Sequence, residues 1–164
     1  LNNTEIFVLD LTDKEAVGDV LKESRPDAIC HLAAQSSVAL SWKDPAMTYH
    51  VNVIGTIHLL EWLRKLELNP RILLVGSSEE YGKVLPDEIP LSEDHIQSPG
   101  NPYAASKAGQ EMLGRLYANA YGMEIIMVRP FNHTGPGQTP HFVIPDFAQR
   151  IAMMEKGLMP KGLF

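Results

Sequence analysis

Cysteine is nearly absent. Cys30 is the only one in 164 residues, which excludes an intramolecular disulfide, and its place in the apolar run Ala28-Ile29-Cys30 predicts a small buried hydrophobe rather than a reactive thiol. No stretch approaches 18 continuous apolar residues, so no membrane-spanning helix is expected. Leu1-Asn2-Asn3-Thr4 lacks the charged start and apolar core of a signal peptide. Runs of Lys or Arg are also missing and the net charge is −6, so nothing offers the counterion-releasing surface that a nucleic acid or an anionic membrane would select. Metal-ligand spacing is lacking as well. His50 and His58, like His133 and His141, stand eight apart with no paired acid or cysteine, and no metal site is expected. These absences together fit a cytoplasmic protein.

What is present suits one compact domain, since 45% of the residues are apolar and a chain of this length buries about 68–70% of its unfolded surface. The chain begins at Leu1 instead of Met, is at once in a strand pattern, and stops just after a helix, so it reads as an internal piece of a longer chain.

Glu5 to Asp10 is a nearly continuous apolar run ending in an acid, the pattern of a buried parallel strand. Thr12 or Asp13 can cap a helix over Lys14 to Glu23, which Pro26 ends. Asp27 to Ala34 is the second expected strand and runs into the polar loop Gln35-Ser36-Ser37. Asp44-Pro45 is an N-cap followed by Pro at the first helical position, and the apolar period then continues through Leu59, Leu60, Leu63 and Leu66. Ile72 to Val75 is a third strand. Residues 83–102 form a long aperiodic loop, of a kind that is often functional. A helix from Tyr103 to about Tyr121 stops at Gly122, Glu124 to Arg129 is a fourth strand, and Ile144 to about Lys156 a last helix. Apolar strands alternating with helices predict a parallel sheet covered on both faces, with ligands at the carboxyl ends of its strands.

Those ends hold the chemistry. Tyr103 and Lys107 stand four apart on one helix face, and a Lys held against a Tyr would lower the phenol from its usual value of about 10. Ser77 and Ser78 close the third strand. A hydroxyl beside an activated phenol can hold a carbonyl oxygen while the phenol delivers a proton, as in carbonyl reduction or its reverse.

Six motifs in order, Asp10-Leu11, His31-Leu-Ala-Ala34, Asn52 with Gly55-Thr56, Ser77-Ser-Glu-Glu-Tyr-Gly82, Tyr103-x-x-x-Lys107 and Arg129-Pro-Phe-Asn132, give the chain a strong resemblance to the extended short-chain dehydrogenase/reductase family of nucleotide-sugar epimerases, dehydratases and reductases. The resemblance implies an α/β fold, a Rossmann-like doubly wound parallel sheet, here incomplete: residues 1–164 are a partial dinucleotide-binding domain without the first βαβ unit and without the C-terminal substrate region. It implies NADP or NAD as cofactor. Tyr103 would be the acid/base, Lys107 its partner and an anchor for the nicotinamide ribose, and Ser77 the carbonyl-holding hydroxyl. Asp10 and Leu11 would lie at the adenine, Leu32, Ala33 and Ala34 along the cofactor, and Pro130 near the nicotinamide. Ser36, Ser78 and Asn132 would contact the sugar nucleotide. His31 and Asn52 are expected to be structural. Glu79 lies two residues before Tyr81, where sugar 4,6-dehydratases carry the base that removes a proton from C5.

Against a dehydratase, Asn132-His-Thr-Gly-Pro-Gly-Gln138 together with Gly76 to Gly82 looks most like the GDP-6-deoxy-4-keto-mannose reductases, which favours a GDP-hexose substrate. The helix from Pro45 and the helix from Tyr103 correspond to those that pair in family dimers, so a homodimer is implied. The Gly-rich phosphate turn is missing, and with it the choice between NAD and NADP. Retention of Ser77, Tyr103 and Lys107 together speaks against a module that binds a dinucleotide without turnover.

Overall fold

A computed structural model describes residues 4–162, and the chain divides after Phe131 into two compact units, each described by itself. In the first unit the Asp13 carboxylate accepts from the amides of Glu15 and Ala16 and opens α1, Lys14–Ser24. After β1, Ala28–His31, Ser37 caps the short α2, Val38–Lys43. Asp44 caps α3, Pro45–Tyr49, which continues through one wide π turn, His50–Ile54, into α4, Gly55–Lys65. This is the long helical run expected from Pro45, with a π turn that its apolar period does not show. β2 is Arg71–Val75, followed by a 3-10 turn at Ser78–Tyr81 and another at Pro86–Glu88 inside the long loop. Asn101 caps α5, Pro102–Tyr121, which Gly122 ends in the left-handed conformation at φ 67°. β3 is Ile125–Val128. The second unit holds α6, Val143–Glu155, with an Asp146–Arg150 ion pair of 2.9 Å one turn apart.

The sheet is wholly parallel in the order β1-β2-β3. Its register aligns Ile29, Ile72 and Ile125 in one row and His31, Leu74 and Met127 in another on the same face. Onto this face pack Val17 and Leu21 of α1, Leu59, Leu60 and Leu63 of α4, and Tyr117 of α5. Leu60, Leu63 and Ile72 are wholly buried, each worth about 1.5–3 kcal/mol of transfer from water. Gly114 lets α5 approach closely: a Cβ there would lie 2.7 Å from Leu74 Cδ1 and 3.2 Å from the Met127 sulfur. That approach brings the start of α5 to the end of β2, where the candidate site lies.

Three expectations need correction. Residues 5–10 join no ladder among the described residues: Phe7 and Leu9 turn inward while Val8 is fully exposed, so the alternation of an extended segment is kept but no strand lies beside it to pair with. The second strand ends at His31, and Leu32, Ala33 and Ala34 leave the ladder. In this unit α1, α4 and α5 pack on the face that carries Ile72 and Leu74. Cys30 therefore is exposed, because its row, Cys30-Leu73-Ile126, points to the opposite face, where Ile126 is 51% exposed.

Candidate active site

The ladder between β2 and β3 continues past the strands: the Gly76 amide donates to Val128 O at 2.8 Å and the Ser78 amide to Pro130 O at 3.0 Å. Ser77, Ser78 and Pro130 are thereby held at one sheet end. Ser77 is buried in extended backbone, and its hydroxyl accepts from the Glu79 amide at 3.2 Å, which starts the 3-10 turn. The first turn of α5 brings Tyr103 to the same place, where its phenol feels the Ser77 side chain.

Lys107, one turn further, is buried, and its ammonium donates to Val75 O at 2.6 Å and to Gln110 Oε1 at 2.9 Å. Burial lowers its pKa to about 8. The expected effect of this ammonium on Tyr103 does not hold. Burial raises the phenol above its ordinary value, the charges of Glu80 and Glu79 add to that, and only the Ser77 side chain works the other way. The reason is geometric: the carbonyl that ends β2 and the Gln110 amide take the ammonium. Tyr103 is consequently a neutral phenol at pH 7, the form a proton donor needs.

Gln110 also donates to Thr56 Oγ1 at 3.0 Å, and His31 Nε2 lies 3.1 Å from the same oxygen. The Thr56 hydroxyl gives its own proton to Asn52 O at 2.7 Å, so His31 must be the donor and carries its proton on Nε2. Burial drives the His31 pKa down to about 4, with the Lys107 charge adding to it. Asn52 is wholly buried and bonds Gln35 O, the Gln35 amide and Ser106 Oγ. Both side chains are thus committed to hydrogen bonds within the fold.

Glu79 is exposed and accepts from Asn101 Nδ2 at 3.0 Å, beside the start of α5. Leu32 and Ala33 are exposed at the end of β1, and Ser36 is exposed in the loop beyond. Asp10 is apart from this group, its carboxylate bonded to the Thr12 amide and hydroxyl, and Leu11 O faces His58 Nδ1 at 2.9 Å. Asn132 belongs to the second unit.

A buried ionic group behind the site was not singled out from the sequence. Arg129 forms a bidentate pair with Glu111, 2.7 and 2.6 Å, and its guanidinium lies 4.9 Å from the Tyr81 ring centre. Glu80, with no exposed surface, accepts from the Ser77 amide at 2.7 Å and Gln97 Nε2 at 2.8 Å, with Arg129 Nε 3.7 Å away. A signal existed: Glu111 and Gly114 follow Lys107 at helical spacing on the face of α5 that meets the sheet.

The profile of the GDP-mannose 4,6-dehydratase family matches residues 1–162. The GDP-6-deoxy-D-mannose reductase of Pseudomonas aeruginosa is 39% identical over 154 residues, covering 94% of this chain and 50% of that relative. A solved structure described as RMD from Pseudomonas aeruginosa complexed with NADPH superimposes with a TM-score of 0.89 at 38% identity, over 94% of this chain and 52% of that one. The UDP-glucose 4-epimerase of Thermus thermophilus in complex with NAD gives a TM-score of 0.81 at 34% identity, over 87% and 47%. The chain thus spans about half the length of the relatives it matches.

Proposed function

The chain belongs to the GDP-mannose 4,6-dehydratase family, and on that premise we propose that the protein reduces the 4-keto group of a GDP-4-keto-6-deoxy-hexose, giving GDP-rhamnose from the manno sugar. The observation that carries this reading is the half-buried, neutral Tyr103 phenol beside the Ser77 hydroxyl, with Lys107 anchored one turn behind it.

The residues at the strand ends fit a nicotinamide dinucleotide. Leu32 and Ala33 leave backbone open past β1, Pro130 has no amide hydrogen to satisfy, and two of the three Lys107 donors are engaged inward, so one is available for a ribose hydroxyl. When bound, NADPH or NADH supplies the hydride that reaches C4. Ser77 and Tyr103 hold O4 of the sugar, and Tyr103 gives its proton to that oxygen as negative charge develops there. The Ser77 hydroxyl, which favours the ionised phenol, then stabilises the phenolate that is left. Ser36 and Ser78 of the first unit are proposed to contact the sugar nucleotide.

The direct test is the full-length protein with NADPH or NADH and GDP-4-keto-6-deoxymannose. Cofactor oxidation with a product two hydrogens heavier supports the reading; cofactor binding without any product would support a dinucleotide-binding module instead.

A second reading rests on Glu79. Its carboxylate is exposed and tethered by Asn101 next to Tyr103, where it could remove a proton from C5 of a bound 4-keto sugar, as a 4,6-dehydratase requires. A homodimer completes the proposal, supported by exposed apolar residues on the two helical runs concerned, Tyr49 and Ile54 on one and Met112 and Leu116 on α5.

A further inference from the structure

Glu80 is a carboxylate with no access to solvent, sited immediately behind the proposed reaction centre and unused by the proposed chemistry. Three parts of the fold converge on it. From the end of β2, the Ser77 amide donates to Oε1 at 2.7 Å. From the long loop, Gln97 donates to Oε2 at 2.8 Å and the Ser98 amide to the Glu80 carbonyl at 2.9 Å. From β3 and α5, Arg129 and Glu111 close the remaining side. The chain has made room for this carboxyl, since a Cβ on Gly76 would overlap Oε1.

We propose that Glu80 is a positioning residue of the active site: its carboxyl clamps the Ser77 amide and the Gln97–Ser98 loop to the Arg129–Glu111 pair, and so fixes the direction of the Ser77 hydroxyl toward Tyr103. A carboxylate offers an acceptor on each oxygen, and both are used. An amide in its place has one acceptor and one donor, so Gln97 must turn its own oxygen toward position 80, and the negative charge facing Arg129 is lost. The Ser77 hydroxyl extends from the backbone that Glu80 holds, and a small rotation there displaces the group that must meet O4.

The groups facing the carboxyl also tie its protonation to the site. Burial pushes the Glu80 pKa upward toward neutrality; the Ser77 amide opposes this, the neighbouring Glu111 adds to it, and Arg129 opposes it. Glu111 is engaged by Arg129 and Arg115, Arg129 lies against Tyr81, and the Glu80 charge is felt at both Tyr103 and Lys107.

This proposal rests on the reductase reading for its kinetic part, so the test has an arm free of turnover. In the full-length protein, the amide resonance of Ser77 is followed by NMR across the neutral pH range. The proposal expects it to move with pH in the wild type and to stay flat in Glu80→Gln. With keto sugar and NADPH, Glu80→Gln should lose at least tenfold in kcat, with the KM for NADPH within about twofold. The double variant Glu80→Gln/Gln97→Glu, which returns a negative charge to the cluster, should recover part of that loss. A Ser77 amide whose shift and pH response are the same in the wild type and in Glu80→Gln, or a Glu80→Gln enzyme with wild-type kcat and pH profile, would overturn the proposal. A titrating amide in a protein that does not turn over the keto sugar would support the clamp while removing the reductase reading.

Discussion

The Lys107 ammonium rests 2.6 Å from the carbonyl oxygen of Val75, the last residue of β2, so the helix that carries Tyr103 is tied to the strand whose end carries Ser77. The two halves of the proposed proton-transfer set are joined through main chain rather than by a direct contact between Lys107 and the phenol. Charge-assisted hydrogen bonds of this kind contribute roughly 1.5–3 kcal/mol. Replacing Lys107 by Met should therefore weaken NADPH binding by about tenfold or more, measured by nicotinamide fluorescence titration of the full-length protein; unchanged affinity would remove Lys107 from the cofactor site.

Tyr103→Phe keeps the ring and deletes the proton. Turnover should fall by about 10²–10⁴-fold, the usual contribution of a general acid, while cofactor affinity changes little. Equal losses in both would mark Tyr103 as a binding residue only.

Glu79→Gln separates the two chemical readings. It should abolish a dehydratase but only weaken a reductase, because hydride addition at C4 has no step at C5. Product mass from GDP-mannose and from GDP-4-keto-6-deoxymannose decides between them.

His31 predicts an acid-labile core. Its folded pKa of about 4 lies below its ordinary value of 6.5, so the unfolded chain binds more protons between those pH values, and stability rises with pH through that window. As pH falls from 6.5 toward 4, the wild type should lose roughly 3 kcal/mol relative to a His31→Gln variant, for which no such window exists. Denaturant titrations of both proteins at several pH values check this; parallel curves would place a charged imidazole in the folded state.

Arg129→Met leaves the buried carboxylates of Glu111 and Glu80 without their guanidinium. Breaking one side of a buried ion pair costs about 3–5 kcal/mol, so a marked fall in Tm is expected. A Tm within a degree or two of the wild type would mean that water or Arg115 replaces the lost charge.

Much of this arrangement was legible in the residues themselves. The helix expected from Tyr103 to Gly122 matches α5, and the strands expected at Asp27 to Ala34, Ile72 to Val75 and Glu124 to Arg129 contain or overlap β1, β2 and β3. Tyr103, Lys107 and Ser77 could be brought together because strand ends and the helices that follow them share one side of such a sheet. Other features depend on partners far along the chain. Glu79-Glu80 looks like two solvated acids, and only folding shows that one is exposed and the other is enclosed by Arg129 and Gln97. Cys30 sits in an apolar run, but which face it takes is set by its register with Leu73 and Ile126. The run 5–10 has strand composition without a neighbour to pair with, and the π turn around Asn52 leaves no mark in the apolar period.

The measurement that tests the central claim most directly follows nicotinamide absorbance and product mass when the full-length protein meets GDP-4-keto-6-deoxymannose and NADPH or NADH. The account predicts stoichiometric cofactor oxidation and a product heavier by two hydrogens, both lost in Tyr103→Phe. Loss of water from GDP-mannose without net cofactor consumption would contradict it and transfer the leading role to Glu79.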